Sequence, residues 1–259
     1  MPDRIRLDGK VAVVTGAAGV IGTATIRLLA ERGARIVAVD CKKGELQTAI
    51  KNLPASAQPL AITADVTREE EVADYVRTAV DQFGTIDVFY NNAGIEGEIV
   101  PITKYPLEMF RKVIDVNVVG VFLGLKHVLP VMLQHNKGSI INTASIAGLI
   151  GSPDIAVYSA SKHAVIGLTK SAAMECAGSS VRVNCVCPGL IDSRMLSAII
   201  EGRNPGNAPV PNEKITERIP TRRLGQASEV AAIVAFLASD DASYVSGSAY
   251  TVDGGRTAA

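Results

Sequence analysis

The stretch TGAAGVIG, Thr15 to Gly22, decides how this sequence folds. It follows the apolar run VAVVT, Val11 to Thr15, and precedes a segment with the spacing of an amphipathic helix. Glycines at a strand-to-helix turn let the backbone approach a phosphate closely, and the helix N-terminus supplies unpaired N–H groups and partial positive charge. The stretch therefore predicts a strand, a tight turn and a helix that together hold a dinucleotide.

Five further β-branched runs alternate with helical patterns along the chain. Near-continuous apolar strands separated by helices are typical of a parallel sheet covered on both faces, with right-handed crossovers. Because no linker, repeat or low-complexity segment interrupts the pattern, we predict an α/β fold over 1–259: a single-domain doubly wound parallel sheet, Rossmann-like, with helices on both faces. The five further predicted strands are Arg35 to Asp40, Pro59 to Asp65, Ile86 to Asn92, Gly138 to Ser145 and Val181 to Pro188.

One segment departs from this regularity. Between Ser193 and Pro220 the residues Gly, Asn and Pro crowd between two ordered regions. A long irregular insertion in a compact domain is usually functional or disordered. We therefore predict a substrate-covering loop at about 193–220, with a plain surface excursion as the alternative.

Composition and charge exclude several classes of partner. The 259 residues carry no formal net charge, and no run of Lys or Arg exceeds two residues, so neither nucleic acid nor an anionic membrane is favoured as a partner. The N-terminus MPDRIRLDGK lacks the apolar region of a signal peptide. No apolar run approaches the roughly 18 to 20 residues of a membrane helix. We expect a soluble, cytoplasmic protein.

The cysteines and histidines indicate no metal site. Four cysteines, unevenly spaced, are too few for a disulfide scaffold and suit a reducing compartment. We expect Cys185 and Cys187 to be packing residues whose sulfurs point to opposite faces of a strand, with metal ligation a poor second. The three histidines lack HExxH spacing and a carboxylate cluster, so no metal is assigned.

Acidic residues at the ends of the second and third predicted strands indicate which dinucleotide binds. Asp40 stands eighteen residues after Gly22, where a carboxylate accepts hydrogen bonds from ribose hydroxyls and repels a 2′-phosphate, which selects NAD over NADP. Lys42 and Lys43 would soften that choice, and a loop-opening or helix-capping role is the alternative for Asp40.

The third predicted strand ends at a position where the adenine is expected. Asp65 and Val66 lie there because ligands of such sheets bind at the carboxyl ends of the strands. Asp65 would serve equally well as a cap for the helix that starts near Arg68.

Further motifs occur in a fixed order along the chain. They are NNAG (Asn91 to Gly94), NTAS ending at Ser145, YSASK (Tyr158 to Lys162), PG at 188–189 and the tail YVSGSAYTVDGG at 244–255. Together with TGAAGVIG they cover essentially the whole chain, which thereby resembles the short-chain dehydrogenase/reductase family. Two positions depart from the family pattern: Val20 replaces a usual glycine, and Ser193 stands where many members have Thr. Because Gly16 and Gly22 remain, we expect cofactor binding to be retained.

The resemblance implies a catalytic set of Asn117, Ser145, Tyr158 and Lys162. A phenol of pKa about 10 is a poor base at neutral pH, and an ammonium four residues along on the same helix face would lower that pKa. The resemblance further implies that Lys162 holds the nicotinamide ribose, that Ser145 holds the substrate oxygen, and that Asn117 binds a water linking Lys162 to solvent. The alternatives are that Ser145 satisfies loop backbone and that Asn117 satisfies local backbone.

The cofactor is expected to be NAD, held at the carboxyl ends of the strands. The residues assigned to it are Gly16, Val20, Ile21, Gly22, Asp40, Asp65, Val66, Asn92, Ala93, Gly94, Tyr158, Lys162, Pro188, Gly189, Ile191 and Ser193.

The predicted function is hydride transfer between NAD(H) and a small apolar or cyclic secondary alcohol or ketone, with Tyr158 as general acid and base. The alternatives are an NADPH-linked 3-oxoacyl thioester reductase and a non-catalytic NAD-binding sensor. Two acidic residues among the expected substrate contacts argue against an anionic substrate. Those contacts are Ile95, Glu96, Ile146, Leu149, Ile150, Asp154, Met195 and Leu196.

Two of the predicted helices are apolar around much of their circumference, more than a sheet alone would cover. Family members commonly pack such helices into dimers and tetramers, so the resemblance implies a homo-oligomer, either a dimer or a tetramer, and we name the homotetramer as the expected assembly.

Overall fold

The computed structural model describes residues 5–258 of the chain. One parallel sheet of seven strands runs through it in the order β3-β2-β1-β4-β5-β6-β7. The strands are β1 Val11–Thr15, β2 Arg35–Asp40, β3 Leu60–Thr63, β4 Val88–Asn91, β5 Gly138–Thr143, β6 Val181–Pro188 and β7 Ala249–Val252.

Helices connect successive strands and cover both faces of the sheet. They are α1 Val20–Glu31, α2 Lys43–Ile50, α3 Glu69–Phe83, α4 Leu107–Ile114, α5 Gly120–Gln134, α6 Ala156–Glu175, α7 Arg194–Arg203, α8 Asn212–Thr216 and α9 Ala227–Ala238. A π-helical turn, Asp115–Val119, joins α4 to α5.

The hydrophobic core is divided in two by the sheet. Along β1, Val11 and Val13 belong to the core beneath α3, α5 and α6, whereas Ala12 and Val14 belong to the core beneath α1, α2 and α9. All four residues are fully buried. This explains why the strand reads as a continuous apolar run: alternate residues face opposite cores, and both cores exclude water.

The strand order creates a crevice beside β1. Strands β2 and β3 follow β1 toward one edge of the sheet, and the chain then crosses back so that β4 lies on the other side of β1. The loops after β1 and β4 therefore leave in opposite directions from the carboxyl edge. Ligands of doubly wound sheets bind at such a switch point.

The predicted fold class is confirmed by this architecture, with particular differences. The bounds of β1, β2 and β6 agree with the sequence interpretation, while β3, β4 and β5 are shorter than predicted. The seventh strand was missed. Its four residues are only partly buried or exposed and lie at the sheet edge, so they form no continuous apolar run.

The expectation of an irregular insertion at 193–220 is wrong in its local structure. Just over half of this segment is helical, because α7 and α8 lie within it; the residues between them and those after α8 are irregular. Ser193 begins α7 as a side-chain cap, with its Oγ accepting a hydrogen bond from the N–H of Leu196 at 3.3 Å. A serine cap before a segment rich in Leu, Ile and Ala is a helix-start signal.

The expectation that the sulfurs of Cys185 and Cys187 point to opposite faces of the strand is also wrong. Cys185 and Cys187 lie in the same core, since residues two apart on a strand share a face. Both are fully buried, and the packing role assigned to them fits that position.

One helical stretch is longer and more apolar than the sequence interpretation allowed. Through the π-helical turn, α4 and α5 run on as Leu107–Gln134, which by length and composition alone is able to cross a membrane. In the structure α5 packs against α3, α6, β4 and β5, the position of a core helix. The expectation that no segment approaches membrane length is therefore corrected, although core helices pass the same test.

Gly22 provides a test of the packing beneath the glycine turn. A Cβ on Gly22 would lie 2.1 Å from the Gly16 oxygen and 2.8 Å from the Ala17 Cα. Both are backbone atoms, so no change of side-chain rotamer can relieve the clash. We expect Gly22→Ala to lower the free energy of unfolding by about 3 kcal/mol, measured by denaturant titration. The control is Gly44→Ala in α2, where a Cβ meets nothing within 4 Å and stability should change by less than about 1 kcal/mol. Equal unfolding midpoints for the two variants would contradict this packing.

Candidate active site

A hydrogen-bond network ties together the carboxyl ends of three strands. Thr15 Oγ1 accepts from the N–H groups of Asn92 and Ala93 at 2.9 and 3.2 Å. Asn92 Nδ2 donates to the Thr15 and Gly16 oxygens at 3.1 and 3.2 Å. Thr143 Oγ1 donates to Asn92 Oδ1 at 3.2 Å. The ends of β1, β4 and β5 are thus fixed relative to one another around the crevice.

The glycine turn lies directly on this network. Gly16 has φ +63°, and a Cβ there would lie 2.9 Å from the Ala93 Cα, so two loops touch through backbone alone. Gly19 is the N-cap of α1 and supplies no side-chain cap, which leaves the first N–H groups of the helix without intrahelical partners. Val20, the first residue of α1, is half exposed. The turn therefore fits the phosphates of a dinucleotide despite the replaced glycine.

The Asp40 carboxylate lies beside the same turn. Its Oδ2 accepts from the Ala18 N–H and its Oδ1 from the Lys42 N–H, both at 3.0 Å. The Lys42 ammonium itself pairs with Glu45 at 3.1 Å. Asp40 thus also closes the loop after β2, as its alternative role predicted. Its position beside the turn is the one expected for a group that contacts ribose.

Asp65 and Val66 differ from each other in their surroundings. Asp65 Oδ1 accepts from the N–H and the hydroxyl of Thr67, at 2.9 and 2.8 Å. It closes the turn before α3, whose N-cap residue is Arg68. Val66 is buried and packs closely against the backbone of Gly120. A Cβ added to Gly120 would lie only 2.9 Å from Val66 Cγ2. Val66 is therefore a residue that packs against the start of α5.

Asn117 lies in the π-helical turn and clamps the loop after β4. Its Oδ1 accepts from the Ile95 N–H at 2.8 Å, and its Nδ2 donates to the Ile95 oxygen at 2.9 Å and to Ser161 Oγ at 3.0 Å. A Cβ on Gly94 would lie 3.2 Å from Asn117 Oδ1 and 3.4 Å from Lys162 Nζ. The side chain therefore satisfies backbone, as the alternative interpretation stated, but backbone that is distant in sequence.

Lys162 is buried and its ammonium is directed toward β5. Nζ donates to the Thr143 oxygen at 2.8 Å and lies 5.6 Å from the centre of the Tyr158 ring. Burial lowers the pKa of Lys162 to about 8, partly opposed by Cys187 and Cys185. The ammonium is thus close to its titration point at neutral pH.

The pKa of Tyr158 moves in the opposite direction from the sequence-based expectation. Burial raises it to about 12, a hydrogen bond with Ser145 lowers it, and the charge of Glu96 raises it. Ile99 and two side chains of α7, Met195 and Ile199, pack against the cluster that contains Tyr158. Desolvation of the phenolate therefore outweighs any stabilisation by Lys162, and the neutral phenol predominates at neutral pH.

Ser145 and the residues after β6 complete the floor of the crevice. Ser145 Oγ accepts from the Ala147 N–H at 3.1 Å and thereby caps a short 3₁₀ turn, the backbone role named as its alternative. Gly189 donates to the Val252 oxygen at 3.0 Å, and a Cβ on it would lie 2.8 Å from the Asp253 Cα. β7 thus holds Pro188 and Gly189 in place against Ser145.

The residues just before α7 are occupied by local structure. Ile191 is buried and pairs with Gly225 in an isolated bridge. Ser193 Oγ donates to the Ile191 oxygen at 3.0 Å in addition to capping α7. The hydroxyl of Ser193, a residue that the sequence assigned to the cofactor, is thus engaged in starting the helix.

The expected substrate contacts surround Tyr158 unevenly. Ile146 and Leu196 are buried and Met195 packs on the Tyr158 cluster, whereas Leu149 and Ile150 are exposed. Several site residues were missed by the sequence interpretation. Thr15 and Thr143 stand inside the quoted motifs, but Arg194, Ile99 and Ile199 gave no signal because their roles depend on how α7 folds over the site.

Comparisons with known proteins agree with this geometry. A family model described as enoyl-(acyl carrier protein) reductase matches residues 16–257. Levodione reductase of Leifsonia aquatica is 38% identical over 98% of this chain and 96% of its own. Cyclohexanol dehydrogenase of Acinetobacter sp. is 40% identical over 97% of this chain and 96% of its own.

Two solved structures extend the likeness to three dimensions. The crystal structure of levodione reductase has a TM-score of 0.95 and covers 98% of this chain and 100% of its own. The crystal structure of an NAD⁺-bound xylitol dehydrogenase is 38% identical, with a TM-score of 0.90 over 96% of this chain and 99% of its own. A model matched over nearly the whole chain, with relatives at these identities, shows that this protein belongs to the short-chain dehydrogenase/reductase family.

Proposed function

We propose that this protein transfers a hydride between NAD(H) and a small apolar or cyclic secondary alcohol or ketone. The observation that carries the proposal is the buried Tyr158, hydrogen-bonded with Ser145 and close to Lys162, at the carboxyl edge of the sheet beside the glycine turn. The apolar residues around Tyr158 favour an uncharged ring as the substrate.

Different groups of the chain would bind different parts of the cofactor and the substrate. The glycine turn would hold the pyrophosphate, Asp40 the adenosine ribose, and Lys162 the nicotinamide ribose. When bound, NAD(H) supplies the hydride donor or acceptor. Ser145 would orient the substrate oxygen by a hydrogen bond, and Tyr158 would exchange the proton with that oxygen.

The upward shift of the Tyr158 pKa determines whether ketone reduction or alcohol oxidation is favoured at neutral pH. A neutral phenol donates the proton that ketone reduction requires. Alcohol oxidation needs the phenolate, which a pKa of about 12 makes scarce, so oxidation should accelerate as pH rises. Lys162, with a pKa near 8, would pass protons between the site and solvent in this range.

We further propose NAD rather than NADP as the cofactor, on the position of Asp40 and on the pairing of Lys42 with Glu45. Asp40→Asn keeps the side-chain volume and removes the charge that repels a 2′-phosphate. We expect the ratio of kcat/KM for NADP to that for NAD to rise at least about tenfold, measured with one substrate. Asp81→Asn, at an exposed position of α3 outside the assigned cofactor residues, removes the same charge as a matched control and should leave the ratio unchanged. A ratio in Asp40→Asn equal to that of the unmodified protein would remove Asp40 from cofactor selection.

Reduction of a 3-oxoacyl thioester is the second candidate, because a relative from Thermotoga maritima that is 39% identical over 97% of this chain is a 3-oxoacyl-[acyl-carrier-protein] reductase. Asp40 counts against it if that reaction uses NADPH. A non-catalytic NAD sensor is the third. It gives no reason to bury a phenol and an ammonium together, since each is costly to desolvate.

The proposed function is tested with cyclic and aromatic secondary alcohols plus NAD at pH 9, where more phenolate forms. We expect reduced cofactor to accumulate with the unmodified protein, and Tyr158→Phe to lose at least about a thousandfold in kcat while its NADH affinity stays within about threefold. The Phe ring keeps the packing against α7 and removes only the hydroxyl. A Tyr158→Phe variant as active as the unmodified protein would refute the role, and no turnover by either would favour the sensor.

We also propose a homotetramer. Large apolar side chains are exposed on neighbouring helices, with Leu107 and Phe110 on α4, Phe122 on α5 and Met174 on α6. Burying them would remove a substantial apolar surface from water. Light scattering on the purified protein should give four times the mass of one chain, and the mass of a single chain would refute the proposal.

A cytoplasmic location completes the proposal. Cys41, Cys176, Cys185 and Cys187 are all unpaired, which suits a reducing compartment. Fractionation of a bacterial expression host should place the active protein with the cytosolic markers, and recovery with the periplasmic markers would contradict it.

A further inference from the structure

An ion pair joins the loop after β4 to the start of α7. Arg194 Nη1 donates to Glu96 Oε1 at 2.8 Å, and Nη2 donates to Glu96 Oε2 at 3.3 Å. The Glu96 side chain is 12% exposed and that of Arg194 is 71% exposed. The carboxylate is therefore the inner partner, and the guanidinium covers it from the solvent side.

The inner carboxylate lies close to the reacting group. Ile99, three residues along the same loop, and Met195, which follows Arg194 in α7, both pack against the cluster that contains Tyr158, so the ion pair lies beside that cluster. The negative charge of Glu96 accordingly adds to the effect of burial in raising the pKa of Tyr158. The other side chains that α7 brings to Tyr158 are apolar, namely Met195 and Ile199. Glu96 is thus a negatively charged side chain held beside a cluster that α7 covers with apolar side chains.

We propose that Glu96 determines the charge specificity of the substrate pocket by excluding ring substrates that carry a carboxylate, while Arg194 positions it. This inference rests on the proposed function of the same site and narrows its substrates to uncharged cyclic alcohols and ketones. Arg194 holds both carboxylate oxygens in a two-pronged hydrogen bond, which fixes their orientation.

The opposite outcome, in which Arg194 leaves Glu96 to bind an anionic substrate, is disfavoured by burial. The exchange would leave the Glu96 carboxylate largely buried beside a second negative charge and without its cation. Removing the cation from a carboxylate that is largely shielded from water costs more free energy than the exposed guanidinium gains from a new anion. The ion pair therefore disfavours the binding of anions beside Glu96.

The test compares two ring ketones of the same shape, 4-oxocyclohexanecarboxylate and its methyl ester, reduced with NADH. At an effective dielectric constant of about 20, the repulsion between two carboxylates about 6 Å apart weakens binding of the charged ligand roughly a hundredfold. We expect the unmodified protein to favour the ester in kcat/KM by at least about thirtyfold. Glu96→Gln keeps the side-chain size and frees Arg194, so the preference should fall at least about tenfold.

The matched control is Glu98→Gln, which removes the same charge two residues along the same loop, where the side chain is exposed. Its ester preference should equal that of the unmodified protein. An unchanged preference in Glu96→Gln overturns the proposal. An equal fall in both variants also overturns it, because the effect would then belong to the net charge of the loop.

A binding measurement separates this inference from the proposed function and does not depend on the variant. Calorimetry on the NADH-loaded, unmodified protein compares cyclohexanecarboxamide with cyclohexanecarboxylate, neither of which has a ketone to reduce. We expect the amide to bind at least about tenfold more tightly. Equal or tighter binding of the carboxylate, or no binding of either probe, overturns the inference. Selective binding of the amide by a protein that reduces no ring ketone would support it and refute the proposed function.

Discussion

The hydrogen bonds of Asn92 are the constraint on which the rest of the site depends. They join the end of β1 to the loop after β4 and, through Thr143, to the end of β5. The loops after the paired strands β1 and β4 leave the carboxyl edge in opposite directions, so the crevice between them has a defined width only if its walls are fixed. Each such bond contributes about 1 kcal/mol to stability. Its larger effect is positional, because Thr143 also supplies the carbonyl that holds Lys162.

Burial, rather than the attraction between Tyr158 and Lys162, governs the charge states of these two side chains. The pKa of Lys162 falls from 10.5 to about 8, which corresponds to roughly 3 kcal/mol of unfavourable desolvation at neutral pH. A protein selected only for stability would place an apolar residue there. The buried ammonium, the raised pKa of Tyr158 and the charge of Glu96 nearby together indicate a site whose electrostatics serve proton transfer rather than folding.

The sequence predicted those features that are encoded locally. β1, its glycine turn and α1 follow from one contiguous stretch, and the i, i+4 spacing of Tyr158 and Lys162 places both on one face of α6. The missed features are set by tertiary packing. The pair of Glu96 with Arg194 spans 98 positions, α7 was obscured by the Gly and Pro residues that follow it, and the sign of the Tyr158 shift depends on the side chains covering the phenol.

The most direct test of the account follows the hydrogen itself. Cyclohexanol bearing deuterium at the carbinol carbon is incubated with the protein and NAD, and the reduced cofactor is analysed by NMR and mass spectrometry. The account predicts one deuterium per reduced cofactor, bound at C4 of the nicotinamide on a single face, in an amount equal to the ketone formed. Reduced cofactor without deuterium, or ketone formed without reduced cofactor, would contradict hydride transfer as the function of this site.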